Sequence, residues 1–507
     1  MEIIKDQVSV LYGKIYKQNM RLLKKSENKG VVIDCAEVFD FYTTSHALSF
    51  LKDIYFDLTR SLGFVLNARC ILEGIALKRL CKGKSDSVYS ELLKRQKAIL
   101  EYRCYHSFDE IKEYIVVPEI IEADYREASQ YYKDTLGHEF GYSEKHIKSI
   151  IDSQIPFICE PRNNYRKIIG ELLGEDYAKL YGLLSQMVHP SSNSIYRNNT
   201  LLEATKFVLE ILLHEYEGIA SGNHDLNYYC GISMTMPVPK RLQELMLSET
   251  SELFDLSNAI ESGYGSNYIS DSLRSICLIR SEMMLDIIMG FREQAKSKWK
   301  ILLDIYAVFY EVIFVNHSDS SLIKLIDIHG DIQLSRNLHS EFSTDEAYSV
   351  YSSRFPNGAD KVTFDSGFQT NIGYLVDVFG KSPSLTRIVK DFVRLFVSNT
   401  DNKLLQQVYY MNYLESQLLS HANGYLWFAN SGAWNDIYGM WDGANNGLLL
   451  LMDSILQQFK DYSRNNEPAL YKPLINLTRN GRKRLYDIAK EESGLFLIPA
   501  QSINDLS

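Results

Sequence analysis

Apolar residues recur at steps of three and four through most of this 507-residue chain, and that period predicts helices. The stretch ALSFLKDIYFDLTRSLGFVLNARCILEGIALKRL (47–80) contains no Pro and reads as one long helix or two in series. EATKFVLEILLHEYEGIA (203–220), ISDSLRSICLIRSEMMLDIIMGF (269–291), KSKWKILLDIYAVFYEVIFV (296–315) and GLLLLMDSILQQFKDYS (447–463) read the same way. No alternating strand series and no β-α-β rhythm interrupts them, so the expected fold class is all-α. Gly and two Pro break the pattern in SGNHDLNYYCGISMTMPVPKR (221–241), the natural linker, and SRFPNGADKVTFDSGFQTN (353–371) is a loop in the second half. The predicted organisation is an N-terminal helical arm (1–44), a first helical bundle (45–222), a linker (223–267), a second bundle (268–464) and a C-terminal tail (465–507).

The two bundles read as copies of one another. RCILE places Arg69 and Glu73 four apart on a helix, and KILLD places Lys300 and Asp304 four apart, with a Leu just before each acid. YGLLSQMVHPSSN (181–193) sets Tyr181, Ser185 and His189 at four-residue steps. YLESQLLSHANGY (413–425) does the same with Tyr413, Gln417 and His421. Tyr181 and Tyr413, and likewise His189 and His421, are 232 positions apart; Arg69 and Lys300 are 231 apart. YRKIIGELL (165–173) also resembles LTRIVKDFV (385–393). Agreement over such distances predicts an internal duplication with a pseudo-twofold arrangement.

Composition narrows the setting. The length suits two or three domains, and 45% hydrophobic with 23% charged residues is ordinary for a water-soluble chain. A formal net charge of −10 argues against a broad basic face for duplex nucleic acid, while leaving room for a local basic cleft. The 34 Tyr suit helix packing, where a ring meets a polar group at one end, and also base stacking. Seven scattered Cys without a C-x-x-C pair speak against a disulfide framework or thiolate zinc site and for a reducing compartment. No signal-peptide profile opens the chain and no apolar run reaches membrane-spanning length, so the expected location is cytoplasmic, with no membrane partner.

Candidate chemistry sits in the repeated seam. Steps of four drift little around a helix axis, so Tyr181, Ser185 and His189 form one polar stripe, against which the Arg69–Glu73 helix can pack. A histidine near a helix C-terminus is biased toward its protonated form, and beside an Arg it could hold a phosphate or hand a proton to a leaving oxygen. The second copy substitutes Lys300 for Arg69 and Gln417 for Ser185, losing the planar two-point contact of a guanidinium. The same groups would also suffice to satisfy polar atoms in a helical core. FGKSPS (379–384) lacks the Gly spacing of a phosphate loop, and neither GHEFGY (137–142) nor LHEYEG (213–218) has a second His for a zincin site. His46, His106, His138, His146, His317, His329 and His339 are isolated in sequence. Trp427, Trp434 and Trp441, seven apart among Gly and Asn, suggest core packing or a folded loop for a partner.

WKILLD (299–304) followed by YLESQLLSH (413–421) resembles a bacterial helical family of unknown function. ARCILEG (68–74) with YGLLSQMVHPSS (181–192) resembles the same family and the abortive-infection type V proteins. Both are placed near the HEPN superfamily, and the likeness covers residues 45–220 and 268–462. It implies four- to five-helix bundles, often dimeric, and a toxin or phage-defence role through RNA cleavage. HEPN ribonucleases carry Arg-x(4–6)-His on one helix; this chain has none, RCYH (103–106) and RNLH (336–339) being too short. Only Arg69 with His189, or Lys300 with His421, could replace that pair, across two helices. The expected activity is metal-independent cleavage of tRNA or mRNA, with no cofactor. His189 would be general acid–base, Arg69 the phosphate anchor held by Glu73, and Tyr181 and Ser185 would orient the imidazole. The alternatives are a non-catalytic sensor or scaffold for a protein partner or antitoxin, and nucleotide or second-messenger binding between the bundles. A homo-oligomer is compatible with each.

Overall fold

The computed structural model describes residues 2–27, 34–56, 58–59, 61–82, 118–139, 165–188, 198–220, 240–264, 268–289, 291–310, 345–354 and 360–362, with a few isolated positions besides. Every regular element among the described residues is a helix. In chain order these are α1 (Glu2–Glu27), α2 (Cys35–Tyr55), α3 (Leu62–Cys81), α4 (Pro118–Glu139), α5 (Tyr165–Leu173), α6 (Glu175–Met187) and α7 (Asn198–Glu215). They continue with α8 (Lys240–Tyr264), α9 (Tyr268–Ile288), α10 (Arg292–Tyr310) and α11 (Asp345–Arg354).

The 47–80 stretch resolves into two helices in series, folded back on each other. α2 ends at Tyr55 and α3 begins after Ser61, whose Oγ accepts from the Gly63 N–H at 3.1 Å and so caps the new helix. Phe50 stacks on Phe64 with ring centroids 4.5 Å apart, His46 meets Asn67, and Cys35 meets Cys81, so the pair is antiparallel throughout. α3 is the central rod. Residues Leu62 to Leu77 are all buried, because α2, α5, α6, α7, α9 and α10 surround them. A helix covered on all sides is apolar all round rather than amphipathic, and each polar residue on it needs a partner.

Gly63 allows a close approach to the second half. A Cβ there would collide with the Glu282 carboxyl of α9 and the Lys298 chain of α10. α5 and α6 form a second tight hairpin about Gly174, whose φ of 115° is one that residues with a side chain rarely adopt. Arg79 donates to the Leu172 carbonyl at 3.3 Å, placing the end of α5 beside the end of α3, so that α6 runs antiparallel to α3.

Two triplets organise the described chain. α1, α2 and α3 hold 26, 21 and 20 residues; α8, α9 and α10 hold 25, 21 and 19. Each runs up, down, up. Asn19 of α1 donates to Thr44 and Ser45 of α2, and Arg280 of α9 pairs with Glu249 of α8. The stretch set apart as an arm (1–44) thus shares the core of the first triplet, and the boundary at 45 falls inside α2. The stretch read as a linker (223–267) includes α8. The Trp-rich stretch (427–441), the stretch expected to be helical at 447–463 and the C-terminal tail (465–507) lie outside the described residues, isolated positions aside.

Candidate functional site

Arg69, Glu73, Tyr181 and Ser185 do come together. Arg69 Nε lies 3.5 Å from Glu73 Oε1, one turn along α3, and the Tyr181 hydroxyl of α6 donates to the same oxygen at 2.9 Å. Tyr165 of α5 leans on the Tyr181 ring, and Tyr42 of α2 and Cys70 border the group from the other side. Burial opposes a cation at Arg69, but Glu73 together with the neighbouring Cys70, Tyr181 and Tyr42 outweighs it, and the guanidinium is held charged. Burial, then the Glu73 charge, pushes the Tyr181 phenol well above its ordinary range, so it stays a proton donor to the carboxylate. Because α6 is antiparallel to α3, the step from Tyr181 to Ser185 leads from the level of Glu73 toward that of Arg69. His189 lies outside the described residues.

Arg69 is only 4% exposed and Glu73 is not exposed at all. The guanidinium is therefore turned onto its carboxylate within the bundle, which suits a positioning role better than open capture of a phosphate. In the second half Lys300 Nζ lies 3.6 Å from Asp304, with the lysine 19% exposed. Burial raises the Asp304 carboxyl, and Lys300 only partly offsets it. The second pair is the more exposed of the two. Tyr413, Gln417 and His421 lie outside the described residues.

A larger polar cluster, unforeseen from the sequence, sits where the two triplets meet. Lys52 of α2 pairs with Asp53 at 2.8 Å and with Asp286 of α9 at 2.5 Å. Lys298 of α10 pairs with Asp286 at 2.7 Å and with Asp53 at 3.3 Å. All four side chains are fully buried. The Ser49 hydroxyl donates to Asp286 at 2.7 Å while accepting from Asn67 and Lys298, which uses its one proton and both lone pairs. Ser61, already the cap of α3, donates to Glu282 at 2.5 Å. Two ammonium groups thus face three carboxyls, and the balance closes if one carboxyl keeps its proton. Glu282 is that one: burial, then the neighbouring Asp53, pushes it well above the usual carboxylate range. Asp286 goes the other way, lowered by Lys298 and Lys52 against its burial.

Asn67 and Lys298 occupy corresponding places, each two residues before the cation of its i,i+4 pair. Both donate to Ser49 and Asp53. His46, isolated in the sequence, belongs to this network. Asn67 spends its amide protons on Ser49 and Asp53, so its carbonyl oxygen faces His46 Nδ1 at 2.9 Å and the imidazole must donate from that nitrogen. Burial lowers the His46 pKa to about 4, with Lys298 adding to the effect and the Asn67 bond opposing it.

That shift carries a testable sign. Between pH 6.5 and 4 the unfolded chain binds a proton at His46 that the folded chain refuses, so this residue's contribution falls as pH falls, by roughly 3 kcal/mol across the window. Glu282 acts oppositely, its folded form holding a proton that the unfolded chain releases above its ordinary pKa, so its contribution falls as pH rises. The clean observable is a difference. The stability of wild type relative to His46→Gln is expected to drop by that amount on acidification from pH 6.5 to 4, read from urea midpoints. The difference relative to Glu282→Gln is expected to move the other way.

The signal for the cluster was present in α2 but unreadable alone. His46, Ser49, Lys52 and Asp53 break an apolar run at spacings that put them on one helix face, and Glu282 and Asp286 do so on α9. None of the described helices is long and apolar enough to cross a membrane. No protein-family model, no curated protein and no solved structure matches the chain. Functional inference therefore rests on its own residues.

Proposed function

We propose that this chain is a defence- or toxin-type protein that cleaves RNA without a metal, built from two related HEPN-like bundles. The observation that carries the reading is the Tyr181 bond to Glu73, which ties α6, the helix whose sequence leads on to His189, to the Arg–Glu pair of α3. His189 follows Met187, the last residue of α6, by two positions. In this scheme a ribose 2′-hydroxyl attacks the adjacent phosphorus, its proton is taken up by the base, and the 5′-oxygen leaves with a proton from the acid. His189 is the proton-transfer group, and Ser185 and Tyr181 set the orientation of its helix. Arg69 and Glu73 are positioning residues that hold α3 and α6 in register. The matched helix triplets and the corresponding positions of Asn67 and Lys298 support the duplication within this proposal. The resemblance of ARCILEG (68–74) and YGLLSQMVHPSS (181–192) in the first half to abortive-infection type V proteins supports the defence role.

The burial of Arg69 favours a second reading, a non-catalytic helical scaffold in which the same network only holds the core. One experiment separates them. The purified chain, His189→Ala and Tyr181→Phe are incubated with total RNA and with tRNA, and the cleaved ends are mapped. The nuclease predicts 2′,3′-cyclic phosphate and 5′-hydroxyl ends from wild type, lost in His189→Ala while its fold persists. Inert wild type, with Tyr181→Phe lowering stability by about 1.5–3 kcal/mol for one lost bond to a charged acceptor, leaves the scaffold.

A further inference from the structure

Two thiols face each other at the open end of the first hairpin. Cys35 is the first residue of α2 and Cys81 the last of α3, and their sulfurs lie 3.2 Å apart. The register of the hairpin imposes this meeting, since His46 with Asn67 and Phe50 with Phe64 set the same antiparallel pairing further along. A disulfide needs the sulfurs at about 2.05 Å, an approach of roughly 1 Å that rotation at the two helix ends can supply. Cys35 follows the cap Asp34, which accepts from Ala36 N–H, and Cys81 precedes the last hydrogen-bonded turn at Lys82, so both sit where helices fray first. Both thiols are buried in the closed hairpin, so exchange with a small disulfide goes through that fraying. Cys70 and Cys277 lie deep inside helices, and burial pushes their thiols up to about 12.

We propose that Cys35 and Cys81 form a reversible disulfide that staples the open end of the α2–α3 hairpin when the chain meets a low-molecular-weight disulfide such as oxidised glutathione. One cysteine thiolate attacks a sulfur of the small disulfide and expels one thiol. The second cysteine then attacks the mixed disulfide and expels the other. The protein loses two electrons and two protons, and the small disulfide gains both. The hairpin becomes a ring spanning 46 positions, closed at one end by the 56–61 turn and at the other by sulfur. Arg69 and Glu73 lie on α3 inside that ring, so the staple restrains the rod that carries the candidate site.

The test uses the full chain equilibrated across mixtures of reduced and oxidised glutathione, quenched in acid, alkylated and mapped by mass spectrometry. The expected result is a Cys35–Cys81 cross-linked peptide pair that grows with the oxidised fraction and disappears with dithiothreitol. The thermal midpoint of the oxidised form should stand roughly 5 °C above the reduced one. Cys35→Ser and Cys81→Ala should each abolish the cross-link and make the midpoint independent of redox state. Recovery of both residues as free thiols, of stable glutathione adducts on either, or of a cross-link to another cysteine, with the helical signal intact, would overturn the proposal.

Discussion

Lys298→Met is expected to destabilise the chain by about 3–5 kcal/mol, the cost typical of breaking a buried charge pair by removing one partner. The Lys298 ammonium serves both Asp286 and Asp53 in a place with no exposure to water, and its pKa is raised by those carboxylates in spite of burial. Met fills the volume of the stem and supplies none of the charge, leaving two carboxylates to one remaining lysine. Glu282→Gln touches the same cluster and is expected to change stability by less than about 1.5 kcal/mol, because Glu282 already holds its proton and Gln keeps an acceptor for Ser61. Equilibrium urea unfolding of the two variants, followed by circular dichroism, decides the matter. Equal costs for both would mean that Glu282 is charged and the assignment of the proton wrong.

Arg69→Met should cost a similar ~3–5 kcal/mol, by removing from the buried Glu73 carboxylate the cation one turn away from it. The double variant Arg69→Met/Glu73→Leu should recover part of that loss, since no buried charge is then left alone, and the coupling between the two sites should reach about 1–3 kcal/mol. Lys300→Met, in the corresponding place of the second half, is expected to cost under about 1 kcal/mol. Its lysine reaches water, and Asp304, already raised, can take up a proton. A double-mutant cycle on each pair measures the contrast. Strictly additive effects at Arg69 and Glu73 would show that the two side chains do not support each other.

Helix existence was legible from period alone, because burying an apolar stripe is a local instruction repeated along the chain. The convergence of Tyr181 on Glu73 was legible too, since steps of four keep a stripe on one face and the repeat pointed to which helices carry it. The fold-back between Tyr55 and Ser61 was only half legible. Nothing in YFDLTRS outlaws a continuous helix, and the turn is selected by the Ser61 cap together with what α3 must pack against. His46 looked isolated because its partner, Asn67, is 21 positions away on the other arm of the hairpin.

What the sequence determined by itself is the helical character of the described residues, the cation–acid pairs on α3 and α10, and a polar stripe beginning at Tyr181. Tertiary structure alone decided that Lys52 and Asp53 would share their charges with Asp286 and Lys298, more than 200 positions away. It also decided that Arg69 would be turned inward and that Cys35 would meet Cys81. The reason is physical: propensity and periodicity act over a few turns of helix, whereas the state of a buried ionisable group depends on which distant charge is packed against it in a medium that screens poorly.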